Sequence, residues 1–105
     1  MEGMIEAMSS PTARSLSAET KVRLSPRVYA REFGEEMVLL DFGLGEYFGL
    51  DSIGAEVWRQ LEAGEALNVI ADRIVERYEV TRDVALKDIL ELVEEMRERA
   101  LVETF

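Results

Sequence analysis

Residues 39–58, LLDFGLGEYFGLDSIGAEVW, place the tightest limits on what this chain can fold into. An apolar run ends at Asp41 and Phe42, and Gly43-Leu44-Gly45 follows, where glycine can take the positive φ that a tight turn needs. Glu46 to Leu50 then reads as a short aromatic strand, with Tyr47 and Phe48 pointing to opposite faces. Asp51 or Ser52 is a ready helix N-cap, and Ile53, Val57, Trp58 and Leu61 recur at helical spacing behind it. A hairpin that runs directly into a helix leaves one strand edge beside a helical face.

The flanking sequence extends this pattern on both sides. From Val22 the chain reads as strand, with Val28, Ala30 and Glu32 on one face and Tyr29, Arg31 and Phe33 on the other. Gly34-Glu35-Glu36 is a turn, and Met37 to Phe42 is apolar apart from Asp41, which predicts a central strand covered on both faces. Asp41 is read either as a cap for the turn after it or as a group that binds a partner's backbone or charge. Glu46 to Leu50 is then the last strand of an antiparallel meander, an edge open to pairing.

Three helices are predicted next. The first stops at Gly64. The second runs from about Ala66 to Tyr78 and buries Leu67, Ile70 and Ile74, with Val69 and Tyr78. The third starts at Thr81, with Asp83 in its first turn, and carries Val84 through Ala100, with Leu101-Val102 a short terminal extension. At 100° per residue, Ala85, Leu86, Ile89, Leu90, Leu92, Val93 and Met96 span about 160°, wider than the roughly 100° one core requires. Either a flank is left over, at Leu90 with Arg97 near it or at Leu92, or the helix sits centrally and buries more than one side. The expected fold is α+β, a three-stranded antiparallel sheet followed by three helices, with a winged helix-turn-helix likeness. Residues 1–21 are read as a flexible extension and 22–105 as the folded domain. Within the extension, Met4, Ile5 and Met8 sit at helical spacing and Pro11 interrupts.

Composition narrows the function. The chain of 105 residues is long enough for one domain, and its 48% hydrophobic content supports a packed core. It has neither cysteine nor histidine, so disulfides, thiolate chemistry, His-dependent triads and the common zinc sites are excluded. Glu91, Glu94, Glu95 and Glu98 fall on the polar arc of the third helix, a solvated face and not a metal or acid/base site. No catalytic constellation and no cofactor motif stand out.

Net charge is −10, and it is uneven. Residues 35–105 hold seven basic against eighteen acidic residues, while residues 1–34 carry a slight basic excess. The second and third helices resemble a helix-turn-helix pair. A recognition helix would expose Arg, Lys, Asn or Gln, whereas here Lys87 stands against Asp88, Glu91, Glu94, Glu95 and Glu98. A DNA-binding regulator is the losing alternative on that ground, and nucleic acid is not an expected partner. No stretch approaches a membrane span and the N-terminus has no signal-peptide h-region, so a cytoplasmic protein without a membrane partner is expected.

The order of parts resembles the PqqD-like family of peptide-recognition domains, the RiPP recognition elements. The matching residues are Val38-Leu39-Leu40-Asp41, Gly45-x-Tyr47-Phe48-x-Leu50 and Gly54-x-x-Val57-Trp58-x-x-Leu61. Further on come Ile70, Tyr78, Asp83-Val84, and Leu92 through Leu101-Val102, so the resemblance covers about residues 24–103. Where the family usually has Leu-Asn this chain has Leu50-Asp51, an equivalent N-cap.

The resemblance implies a non-catalytic protein that binds the leader of a ribosomally made precursor peptide. The leader would add as a strand along Glu46, Tyr47, Phe48, Gly49 and Leu50 and lie against the third helix. Apolar pockets are expected near Val38, Leu40, Tyr47, Phe48, Leu86, Leu90 and Val93, with Lys87 and Arg97 pairing leader acids. The wording of the hairpin is most like the stand-alone members of lasso-peptide clusters, which implies delivery to a separate cysteine-protease leader peptidase subunit. Members that present a precursor to a radical-SAM enzyme are the alternative. No cofactor or metal is implied.

Overall fold

A computed structural model of the chain describes residues 16–104. Of the expected flexible extension, residues 1–15 lie outside the described residues, as do Met4, Ile5 and Met8. The elements run β1 (Val22–Leu24), β2 (Val28–Phe33), β3 (Glu36–Asp41), β4 (Glu46–Leu50), α1 (Ser52–Glu62), α2 (Leu67–Arg77), α3 (Arg82–Glu98) and β5 (Val102–Thr104).

The meander forms as the sequence implies. Strands β2, β3 and β4 pair antiparallel in that spatial order, with Tyr29 opposite Leu40 and Leu40 opposite Tyr47. The turn into β4 closes through Gly45, at φ +71°, whose N–H donates to the Asp41 carbonyl at 2.7 Å. Met37, Leu39, Leu50 and Trp58 are buried together with Ile70, Ile74, Ile89, Val93 and Met96, so one core joins the inner face of the sheet to the three helices.

Helix boundaries follow local chemistry. The Asp51 side chain accepts the Gly54 N–H at 2.8 Å and starts α1, and Gly64, at φ +84°, ends the connection after it. The Thr81 hydroxyl accepts the Val84 N–H and starts α3. Helix α2 has no side-chain cap; the carbonyls of Thr20 and Ala18 accept the N–H groups of Leu67 and Asn68 at 3.1 and 2.8 Å. The segment before β1 is thus tied to the body at Ala18 and Thr20, and Leu16 packs against the core.

Three expectations change. Strand β3 is central but covered on one face only: α1 packs on that side of β3 and β4, and α2 and α3 complete the same core behind it; Val38 and Leu40 are half-buried on the open side. Ile53 leaves the buried stripe of α1 and is 38% exposed, whereas Val57, Trp58 and Leu61 are buried. The terminal extension is a strand: β5 pairs antiparallel with β1, Val22 opposite Thr104 and Leu24 opposite Val102. Leu101 and Val102 complete the core there.

Candidate functional site

Strand β4 ends the three-stranded sheet, so alternate N–H and C=O groups of Glu46–Leu50 face outward beyond it. Beside this edge lies a groove of about 620 Å³. Its sheet side is Phe48, Gly49 and Leu50; its floor is Val57, Ile74, Val80 and Ile89; its mouth is set by Ile53 from α1 and Leu92 from α3. Gly54 lets the start of α1 pack closely on the end of β4: a Cβ there would come within 3.2 Å of the Leu50 side chain. At Gly49 a Cβ would meet nothing within 4 Å, so the outer face of the sheet is open at that position.

The apolar mouth has an acidic rim. Asp51, Asp88 and Glu95 line the groove, and the lining contains no Lys or Arg. Asp51 is engaged as the α1 cap and Glu95 pairs with Arg99 at 3.8 Å. At one end of the edge the Arg99 guanidinium lies over the Phe48 ring, 4.9 Å from its centroid, and both belong to a smaller recess with Glu46, Tyr47 and Leu101.

The residues expected from the sequence separate into three places. Phe48, Gly49 and Leu50 line the groove, and Glu46 and Tyr47 lie on the same strand edge. Val38 and Leu40 lie on the opposite, outer face of the sheet, as does Tyr47, 75% exposed; Phe48 turns inward and is half-buried. Leu86, Lys87, Leu90, Val93 and Arg97 are not among the groove-lining residues. Val93 is fully buried in the core, Leu86 and Leu90 are half-buried against it, and Lys87 and Arg97 pair within their own helix with Glu91 and Glu94.

The geometric reason is rotation about α3. Positions 90 and 92 project about 160° apart on a helix. Ile89 faces the core between them, so Leu92, and not Leu90, is the surplus apolar residue that meets the β4 side. Ile53, Val80, Asp88 and Glu95 are among the groove residues that sequence reasoning missed. Ile53 was hidden because its spacing fits the buried stripe, and Asp88 because it reads as one more solvated carboxylate.

Asp41 serves the turn and not the groove. Burial pushes its carboxyl upward, but the Arg27 guanidinium and the Leu44 and Gly43 amides outweigh that and hold it below the usual aspartate value. Among the described residues, no group of three His, Cys, Asp or Glu side chains is placed to hold a metal ion, and no helix is long and apolar enough to cross a membrane.

The chain is similar in sequence and fold to known proteins. The family model described as coenzyme PQQ synthesis protein D matches residues 36–102. Two solved structures share the fold. "TbiB1 in complex with the TbiA(beta) leader peptide" is 31% identical with a TM-score of 0.75, covering 79% of this chain and 96% of that one. "Lasso peptide synthetase B1 complexed with the leader peptide" is 32% identical with a TM-score of 0.73, covering 78% and 96%. No curated protein matches the sequence. With the family model spanning β3, β4, all three helices and the start of β5, the chain belongs to the PqqD family, as a PqqD-like RiPP recognition element.

Proposed function

We propose that this protein binds the leader of a lasso-type precursor peptide by strand addition to β4 and hands the precursor to a partner leader peptidase, without catalysing a step itself. The observation that carries this is the open edge of β4 running along the apolar groove between the sheet and α3. An extended peptide on that edge makes main-chain hydrogen bonds with it and extends the sheet to four strands. Its alternate side chains then enter the groove beside Phe48 and Leu50 and meet Ile53 and Leu92. Both structural relatives are leader-peptide complexes, which supports the same ligand class here. The acidic rim at Asp88 and Glu95 favours a leader with a basic side chain over one with an acid at that point. A soluble biosynthetic protein of the cytoplasm fits this role.

The test is calorimetry with the synthetic leader of the precursor encoded beside this gene, together with amide hydrogen exchange. One-to-one binding at micromolar affinity or tighter, about −8 kcal/mol, with new protection of amides in Glu46–Leu50, is expected. Binding that leaves those amides unprotected overturns strand addition. Binding to a quinone-pathway precursor in place of the lasso leader moves the protein to the radical-SAM branch, which the description of the matching family model keeps in view.

A further inference from the structure

Asp41 is 4% exposed, and only one of its carboxylate oxygens is engaged. Oδ1 accepts from Arg27 Nε and from the amide N–H groups of Gly43 and Leu44, at 2.9, 2.9 and 3.1 Å. Among the described residues no group donates to Oδ2, which is buried as well. A buried carboxylate oxygen without a donor is costly, and the turn, which uses Oδ1 alone, does not account for it.

The space beside Asp41 is the smaller recess at the start of β4, about 10 Å³, room for one water-sized group. Asp41 and Glu46 form one cross-strand pair on the inner side of the sheet, and Leu39 and Phe48 form the next. Arg27 offsets one of the two carboxylates; Glu46 is exposed and joins no ion pair among the described residues. The other cation at the recess, Arg99, is held over the Phe48 ring and paired with Glu95 at 3.8 Å. The Asp41–Glu46 row is thus left with one uncompensated negative charge and one open buried acceptor.

We infer that this recess is a lysine subsite: the leader residue opposite Glu46 is a lysine whose ammonium passes Glu46 and donates to Asp41 Oδ2. The inference rests on the strand addition proposed above and names the side chain that strand carries at one position. A residue directly across from Glu46 on an added strand projects to the same, inner face. Asp41 then lies two strand spacings away, about 10 Å, a gap that the four-carbon lysine stem and the Asp41 side chain close from both ends. An ammonium is compact and carries three donors, so it serves Glu46 and Asp41 Oδ2 together, whereas a planar guanidinium is too wide for a space of one water. A hydroxyl fits by size but brings no charge, and a charge-assisted bond is roughly twice as strong. An acidic side chain is repelled by both carboxylates.

The experiment uses the full chain and the synthetic leader of the precursor encoded beside this gene. Calorimetry gives affinity, carbon NMR follows the Asp41 side-chain carboxyl, and interstrand nuclear Overhauser contacts identify the leader residue opposite Glu46. A lysine is expected there, and any other residue overturns the subsite. Replacing that lysine with methionine is expected to weaken binding at least fivefold, and with arginine at least threefold. Glu46→Gln, at an exposed position, is expected to cost the parent leader at least threefold and the methionine leader less than twofold; equal losses overturn the subsite. The Asp41 carboxyl signal is expected to move with the parent leader and to stay in place with the methionine leader. A signal that stays in place with the parent leader leaves Oδ2 to water, and one that moves equally with both leaders gives it to Arg99; either result overturns the subsite and leaves strand addition standing, provided the Glu46–Leu50 amides are protected. Binding without that protection overturns strand addition itself, and the subsite with it.

Discussion

Arg27 Nε donates to Asp41 Oδ1 at 2.9 Å, and the same oxygen accepts the amide N–H groups of Gly43 and Leu44 at 2.9 and 3.1 Å. One buried carboxylate oxygen therefore shapes the turn that sends the chain into β4 and ties it to the segment after β1. Arg27 also reaches the Ala100 carbonyl at 3.2 Å, so this turn and the end of α3 share a side chain.

The pH dependence of stability follows from that contact. Asp41 is held below its ordinary value, and so is Glu56, where the Gln60 hydrogen bond leads, outweighing burial with the help of Arg77 and Arg59. A carboxyl with a lowered folded-state pKa binds protons more readily unfolded, so its contribution is present above the unfolded value and is lost as pH falls through the folded one. The melting temperature is expected to drop below about pH 4. Asp41→Asn is expected to melt lower than the parent at pH 7 and to lose less on acidification; an unchanged acid limb in a pH series of thermal melts contradicts the assignment.

The groove placement predicts opposite outcomes for two leucines on α3. Leu92→Asp puts a charge at the groove mouth and is expected to weaken leader binding by tenfold or more, about 1.4 kcal/mol, with helicity retained. Leu90→Asp falls on the other flank and is expected to leave leader affinity within about threefold while lowering stability by about 1–3 kcal/mol. Calorimetry and denaturant unfolding of both variants separate the two effects.

Ala100 sits at φ 61° where α3 turns into β5, and the Leu101 N–H closes back on the Met96 carbonyl at 2.9 Å. A left-handed alanine costs roughly 1–2 kcal/mol, part of which glycine returns through its more flexible unfolded chain. Ala100→Gly is expected to stabilise by about 0.5–1 kcal/mol, raising the melting temperature by about 3–6 °C.

The carbonyls of Ala18 and Thr20 occupy the uncapped start of α2. A chain beginning at Lys21 is expected to lose about 1 kcal/mol relative to one beginning at Leu16. Urea midpoints measure the difference, and equal midpoints would show that the cap contributes nothing.

Salt separates this protein from a nucleic-acid binder. Main-chain hydrogen bonds and apolar contacts at Phe48, Leu50, Ile53 and Leu92 are screened little, so leader affinity is expected to change by less than about threefold between 50 and 200 mM salt. A phosphate-binding protein making several contacts loses about a thousandfold or more over that range.

The sequence alone determined the order of the meander and the three helices and the main contacts of the core. Alternation in Val28–Phe33 and Met37–Phe42, glycines in the turns, Asp51 and Thr81 as caps, and the spacing of Ile70, Ile74, Ile89, Val93 and Met96 are local signals, each readable within a few residues. They were enough to name β4 as an edge, to set Tyr47 and Phe48 on opposite faces, and to match the family pattern. Tertiary structure alone decided which half of a wide apolar arc stayed accessible. Leu90 and Leu92 are equivalent by periodicity, and only the seating of α3 against α2 and β5 sends Leu92 to the groove. The same holds for Ile53, whose spacing matches that of its buried neighbours, and for Val38 and Leu40, half-buried on a face no helix reaches. The β1–β5 pair and the Ala18–Thr20 cap join residues far apart in sequence, and a short strand or an uncapped helix start carries no local mark of the partner that will complete it.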